Sequence, residues 1–471
     1  MTNGSDGTGA AGAGAAGTGA AGTGAAGTGA AGADTAGAGT DDAARRELFE
    51  RAAAVIAEND KGGYTVPTKG LYPFQWNWDS CLTALGQSHV DERRAWREIA
   101  TLFAHQWEDG MVPHIVFHEH DDGYFPGPGV WATGRLTPTS GITQPPVAGF
   151  AVGRLFERAR DTDLARDRAR ALLGPIDRWH AWFHANRDPA RTGLAALIHP
   201  WESGRDNSID WDAAFERVPT DGVSPYQRRD TQHADPAHRP TKEQYDRYIW
   251  LLERFRGLDW DNTKLHQASP FQVVDPGFNA ILIRSCLDLA TVADALDEPA
   301  IAATNRERAA RGLDALESLW SDAHGQYVCH DRANDETVDS ASVGGLLPVL
   351  APIPAERARA LVERLETLGE RVRYLVPSHD PADARFDAKR YWRAPAWLIV
   401  NYLIVDGLRV AGEDAMADRI ERDSLALIEE SGFAEYYDPL SGEPCGGASF
   451  TWTAAMVMEF LDRARAPAGK R

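Results

Sequence analysis

From about residue 44 onward, apolar side chains return every three or four positions, the period of an amphipathic helix. Leu172, Ile176, Trp179 and Phe183 share one such face, and Phe278, Ile281 and Leu282 share another. The same spacing predicts helices over 44–59, 92–106, 147–160, 356–368, 397–411 and 414–430. No run of alternating polar and apolar residues is long enough to build a large sheet. Between the helices lie long segments rich in Gly, Pro, Trp, Tyr and His, at 61–80, 109–146, 198–248, 371–395 and 432–452. Long loops in a compact protein are usually functional. The pattern predicts a helical scaffold whose loops gather at one end, with 209–265 as a candidate excursion or lid.

Residues 1–40 break this pattern. A stretch such as GAAGTGAAGTGAAGTGAAG offers no large apolar side chain to bury, so it is expected to be a disordered tail. It also lacks the basic start and apolar centre of a secretory signal. Nowhere do eighteen apolar residues follow one another, so no membrane span is expected and the reading is a cytoplasmic protein. The 471 residues could hold two or three average domains or one large repetitive fold.

Charge and cysteine content narrow the chemistry. A formal net charge of −20 would repel phosphate backbones, which argues against a nucleic-acid partner. Cys81, Cys286, Cys329 and Cys445 are scattered, with no CxxC pair to suggest a zinc or redox site. Histidines 114, 118, 120, 199 and 233 include the local sequence His118-Glu119-His120, but no third ligand is evident, and neither a metal nor a cofactor is assigned.

The loops carry groups that suit a sugar: flat aromatic faces for the apolar side of a pyranose, and carboxylates, amides and guanidinium forks for its hydroxyls. Tyr72-Pro73-Phe74-Gln75-Trp76-Asn77-Trp78-Asp79 holds several such groups within eight residues. Packing of these rings between helices is the competing reading. Gln144 precedes two prolines that stiffen the chain. Trp201-Glu202-Ser203-Gly204-Arg205-Asp206-Asn207-Ser208 places two acids and an Arg around a glycine, although Asp206 or Ser208 could equally be a helix cap. Tyr391-Trp392-Arg393-Ala394-Pro395-Ala396-Trp397 again mixes rings with a cation, and Glu435 follows a helix expected to end near Ser431-Gly432. Taken alone, Glu435 reads as a solvated surface acid.

Taken in order, YPFQWNWDS, GITQPP, ESGRDNS, RPTKEQYDRY, YWRAPAW and EYYDPLSGE resemble the glycoside hydrolase clan that contains trehalases and glycoside hydrolase family 63. The nearest resemblance is to its mannosylglycerate and glucosylglycerate hydrolases, and it covers essentially 45–465. It implies an all-α fold, an (α/α)6 barrel or toroid with the site in its mouth, so that 41–465 forms one catalytic domain. It also implies that Asp206 is the general acid and Glu435 the general base of an inverting reaction. In such a reaction the two carboxyls stand roughly 6.5–9.5 Å apart, with a water between base and sugar.

By the same resemblance Trp78, Asp79 and Gln144 contact the sugar in the deepest subsite, Tyr72, Trp76 and Gly204 complete the substrate contacts, and Trp392 and Trp397 wall the cleft. Arg239 and Tyr245 would hold the carboxylate of a glycerate aglycone. An ordinary helix salt bridge from Arg239 to Glu243 or Asp246 is the alternative. Two departures stand out: Ala394 replaces a usual glycine, and Phe450 stands where some glucosylglycerate-cleaving members have Gln. The choice between glucose and mannose is therefore open. The implied activity is hydrolysis of glucosylglycerate or mannosylglycerate to hexose and glycerate, in the recovery of a compatible solute. The rivals are hydrolysis of a neutral α-glucoside such as trehalose or a short oligosaccharide, phosphorolysis on a similar scaffold, and a carbohydrate-binding relative without turnover. The expected partner is a small-molecule glycoside, with no membrane and no nucleic acid; a homo-oligomer is compatible with the sequence.

Overall fold

The computed structural model describes residues 33–463. Among these, residues 33–46 and 47–463 fall in different compact units. Most of the predicted tail, residues 1–32, lies outside the described residues. Helix α1 runs over Ala33–Glu58, so it begins inside the predicted tail, eleven residues before the amphipathic period becomes readable at 44.

Six elements form a closed inner ring among the described residues. They are α2 (Asn77–Ser88), α4 (Ala148–Glu157), α7 (Pro276–Ala295), the 3-10 turn Leu347–Leu350, α10 (Leu398–Ala411) and α12 (Thr451–Arg463). Each packs on the next in this order, and α12 packs back on α2. A second layer lies outside: α3 (Glu92–Phe103) on α2, α5 (Thr162–Asn186) on α4 and α7, α8 (Pro299–Leu316) on α7, and α9 (Ala355–Gly369) and α11 (Asp414–Ser431) on α10. This is the (α/α)6 arrangement. One further helix, α6 (Lys242–Arg256), belongs to the excursion between α5 and α7.

The two layers differ in how the sequence makes them. Outer helices such as α3 are amphipathic, burying Trp96, Ile99, Leu102 and Phe103 on one stripe. Inner helices are buried nearly all round: all twelve residues of α2 are buried, as is α12 from Thr451 through Leu461. Helix starts follow ordinary capping chemistry. Asp91, Asp161 and Asp275 accept backbone N–H groups of the first turns of α3, α5 and α7, and Thr241 with Gln244 forms a capping box on α6.

Strands are short. Gln75–Trp76 pairs with Ile115–Val116, a four-stranded sheet is built from pairs of residues, and β1 (Ala434–Tyr437) forms a hairpin with β2 (Pro444–Ala448). No helix among the described residues is long and apolar enough to cross a membrane.

Candidate active site

A cavity opens at one end of the ring and is lined by residues from all five of the long loops, 371–395 contributing Tyr391. It receives Tyr72, Trp76, Trp78, Asp79, Gln144, Gly204, Asp206, Arg239, Tyr245 and Glu435, that is, ten of the twelve residues singled out in the sequence.

Glu435 is the second residue of β1 and is only 1% exposed. Its Oε1 accepts the Tyr72 hydroxyl at 3.1 Å, and its Oε2 accepts the Gly447 backbone N–H at 3.0 Å and faces Arg239 Nη1 at 3.5 Å. The hairpin bulges between Cys445 and Ala448, which brings Gly447 to the carboxylate. Burial raises the Glu435 pKa above the usual carboxylate value, while Arg239, the Gly447 N–H and the tyrosine hydroxyls work against that rise. The surface-acid reading does not hold.

Asp206 stands on the loop that follows the turn Pro200–Ser203. This loop is fixed from below. Arg187 and Glu202 form a buried pair at 2.6 Å, and Arg205 reaches Asp210 at 3.0 Å and Asp275 at 2.8 Å. Gly204, at φ +69°, faces the Trp78 ring, and a Cβ there would come within 2.7 Å of it. Ser208, not Asp206, does the capping, accepting the Asp210 N–H. The Asp206 carboxyl is left lining the cavity, with its backbone carbonyl held by the Tyr248 hydroxyl at 2.8 Å. Burial pushes its pKa to about 7; Arg239 opposes the shift and Glu435 adds to it. One carboxyl thus stands ready to donate a proton near neutrality, while the other is held by a cation and two donors, the Tyr72 O–H and the Gly447 N–H.

The first turn of α2 brings Trp78 and Asp79 to the cavity floor, and Trp78 N–H donates to Gln144 Oε1 at 3.3 Å. Asp79 is 6% exposed, and burial pushes its carboxyl well above the usual range, with Glu435 and Asp206 adding to the effect. Gln75 turns away instead, toward the buried Glu98 and His118.

Arg239 is 4% exposed and lies outside α6, beyond reach of a helical pair with Glu243 or Asp246, which engage Arg247 and Lys242. Its Nε donates to Asp230 at 3.2 Å and its Nη2 to the Tyr72 hydroxyl at 2.5 Å, with the guanidinium 4.0 Å from the Tyr391 ring centroid. Tyr245 lines the same end of the cavity, its hydroxyl 3.4 Å from the Phe125 carbonyl and its ring 4.2 Å from the Arg228 guanidinium.

Trp392 and Trp397 correct the expectation. Neither lines the cavity: their rings stack on each other, 3.9 Å apart and 1° from parallel, behind Trp78 and Tyr436. The wall is made instead by Tyr391, Trp452 and Phe450. Sequence reading also missed Tyr124, Asp230 and Tyr248, all in the lining. The basic-acidic cluster Arg228-Arg229-Asp230 inside the candidate lid was the signal available for Asp230. His118 and His120 do not converge, since His118 bonds Gln75 and His120 pairs with Asp122 at the surface. Among the described residues no group of three or more His, Cys, Asp or Glu could hold a metal ion.

Residues 72–453 match the family described as mannosylglycerate hydrolase MGH1-like glycoside hydrolase domain. The chain belongs to this family. The MGH1-like match takes in both carboxylates and every residue singled out for the cavity. Mannosylglycerate hydrolase MGH1 of Selaginella moellendorffii is 46% identical over 419 residues, covering 88% of this chain and 86% of the relative. The glucosylglycerate hydrolase of Mycolicibacterium hassiacum is 36% identical over 453 residues, covering 88% and 98%. The crystal structure of the GH63 mannosylglycerate hydrolase of Thermus thermophilus in complex with Tris and D-glycerate superposes with a TM-score of 0.86 at 47% identity, covering 88% of this chain and all of that one.

Proposed function

We propose that this MGH1-like glycoside hydrolase cleaves mannosylglycerate or glucosylglycerate by inversion, with Asp206 as general acid and Glu435 as general base. The observation that carries the reading is the buried Arg239 in the same cavity as two carboxyls of unequal environment. A guanidinium sunk beside a sugar-sized aromatic cavity suits an aglycone that brings its own carboxylate. Asp206, protonated, gives its proton to the glycosidic oxygen as the bond to the anomeric carbon breaks. Glu435, ionised, takes a proton from the water that attacks the opposite face. The products are β-hexose and glycerate. Trp78, Asp79 and Gln144 would engage the sugar hydroxyls and ring, and Arg239 with Tyr245 the glycerate.

Identity of 46–47% to the Selaginella moellendorffii and Thermus thermophilus mannosylglycerate hydrolases, against 36% to the glucosylglycerate hydrolase and 34% to the mannosylglycerate hydrolase of Rubrobacter radiotolerans, makes mannose the first sugar to try. The test is proton NMR of the protein with mannosylglycerate, glucosylglycerate and trehalose in parallel. Rapid appearance of β-hexose from a glycerate glycoside is expected. Release of the α anomer would overturn the inverting assignment, and cleavage of trehalose alone would overturn the glycerate site.

A further inference from the structure

Arg239 touches two things that the reaction keeps separate, the base and the aglycone subsite. Its Nε is committed to Asp230, itself held by Arg228 at 2.6 Å. A carboxylate entering this end of the cavity can therefore engage only Nη1 and Nη2. Those are the groups that face Glu435 Oε2 at 3.5 Å and donate to the Tyr72 hydroxyl at 2.5 Å. Tyr72 passes the contact on, donating to Glu435 Oε1 at 3.1 Å. The guanidinium thus meets both oxygens of Glu435, one directly and one through a phenol.

From these contacts we infer that Arg239 is shared between Glu435 and the carboxylate of the substrate, so that an anionic aglycone releases Glu435 from its cation as it binds and makes it a stronger base. The inference rests on the glycerate reading given above. An Arg charge beside a carboxylate lowers that carboxylate's proton affinity, and a second carboxylate that neutralises the cation restores it. The other charged or titratable groups facing Glu435 are Tyr72, Tyr391, Tyr436, Asp79, Asp206 and, across Arg239, Asp230; Arg239 also holds down the Asp206 carboxyl, so the same substrate carboxylate keeps that acid protonated to higher pH, an effect on the alkaline limb and not on the acid limb. The 3.5 Å contact is long for a charge-assisted hydrogen bond, so what the substrate carboxylate offsets is mainly the Coulombic attraction of the guanidinium for Glu435. Recognition of the aglycone then appears in turnover as well as in affinity, and Arg239 acts as a positioning residue for the base.

The experiment compares the native enzyme on a glycerate glycoside and on the matching glyceramide glycoside, which replaces the carboxylate by a neutral amide. For the glycerate glycoside, the acid-limb midpoint of kcat should lie above that of kcat/KM, because the base is released only in the complex. For the amide the two midpoints should coincide, and its plateau kcat should be lower by about five-fold, in line with Brønsted behaviour of a weakened base. Arg239→Gln should raise the acid-limb midpoint of kcat/KM and make that of kcat indifferent to substrate charge. Coincident midpoints for the glycerate glycoside, with the amide affecting KM alone, would overturn the coupling and leave the glycerate reading intact. Equal kcat/KM for acid and amide would overturn the glycerate reading itself.

Discussion

Gly446 lies against Glu435. Its backbone holds φ at +75°, and a Cβ on it would collide with Glu435 Oε2 and sit 2.7 Å from the Tyr436 ring. The hairpin can bring its Gly447 N–H to the carboxylate only because position 446 carries no side chain. Gly446→Ala should therefore displace the base. We expect kcat to fall by at least about ten-fold, with a stability loss of only ~1–2 kcal/mol from the left-handed backbone. Steady-state kinetics beside thermal unfolding checks this, and an unchanged kcat would mean that Glu435 does not depend on this contact.

Asp206→Asn cannot donate a proton and should lower kcat by about 10²–10⁴-fold while the fold is kept. The native carboxyl, with its pKa near 7, predicts that activity falls as pH rises through about 7, because the acid is then ionised. The stability effect has the opposite sense to that of a salt-bridged Asp. The folded pKa is raised above the unfolded value of 3.8, so the native state binds the proton more tightly. Stability is then highest below pH ~4 with respect to this group and declines as pH rises toward about 7. Asp206→Asn removes the decline, and denaturant titrations at pH 5 and pH 8 should find the variant gaining on the native protein at the higher pH.

Glu202→Gln would strand the Arg187 guanidinium, which is 1% exposed and bonds Glu202 through Nε and Nη2. Removing one partner of a buried pair costs about 3–5 kcal/mol. The loop carrying Asp206 loses its anchor at the same time, so lower stability should come with lower kcat. Urea unfolding with unchanged midpoint would contradict this account.

Trp397→Ala should act on stability more than on binding. The ring is 1% exposed and lies between Trp392 and Tyr436, at centroid distances of 3.9 and 4.6 Å. Large-to-small truncation of such a ring costs ~3–5 kcal/mol. Trp397→Phe keeps a ring and removes an indole N–H that has no partner, and should cost much less. A KM effect with no loss of thermal stability would restore Trp397 to the cleft wall.

Legibility in the sequence followed burial in part. Outer helices such as Glu92–Phe103, Ala355–Gly369 and Asp414–Ser431 have one wet face, and their apolar period predicted them to within a few residues. Asn77–Ser88 and Thr451–Arg463 were read as loop or not read, because a helix buried on every side has no polar stripe to set its phase; the inner helices Ala148–Glu157 and Leu398–Ala411 were read from their apolar residues all the same, and the outer Pro299–Leu316 was not read. Lys242–Arg256 was absorbed into a long loop despite its capping box, since the aromatic and charged residues around it masked the period.

The sequence by itself determined the class of fold, most of the outer helices, the low-complexity start and, through six ordered motifs, two carboxylates and a set of residues that line the cavity. These are local properties: periodicity, composition and short strings survive when the chain is read one segment at a time. The tertiary structure decided the closure of the ring, the retreat of Trp392 and Trp397 behind Tyr391, and the partners of Arg239. Arg239 and Glu435 are 196 positions apart, and their contact depends on where α6's loop and the β1–β2 hairpin come to rest on the same ring. Whether a cation meets a helix neighbour or a distant base is settled by packing, because burial removes the water that would otherwise satisfy either one.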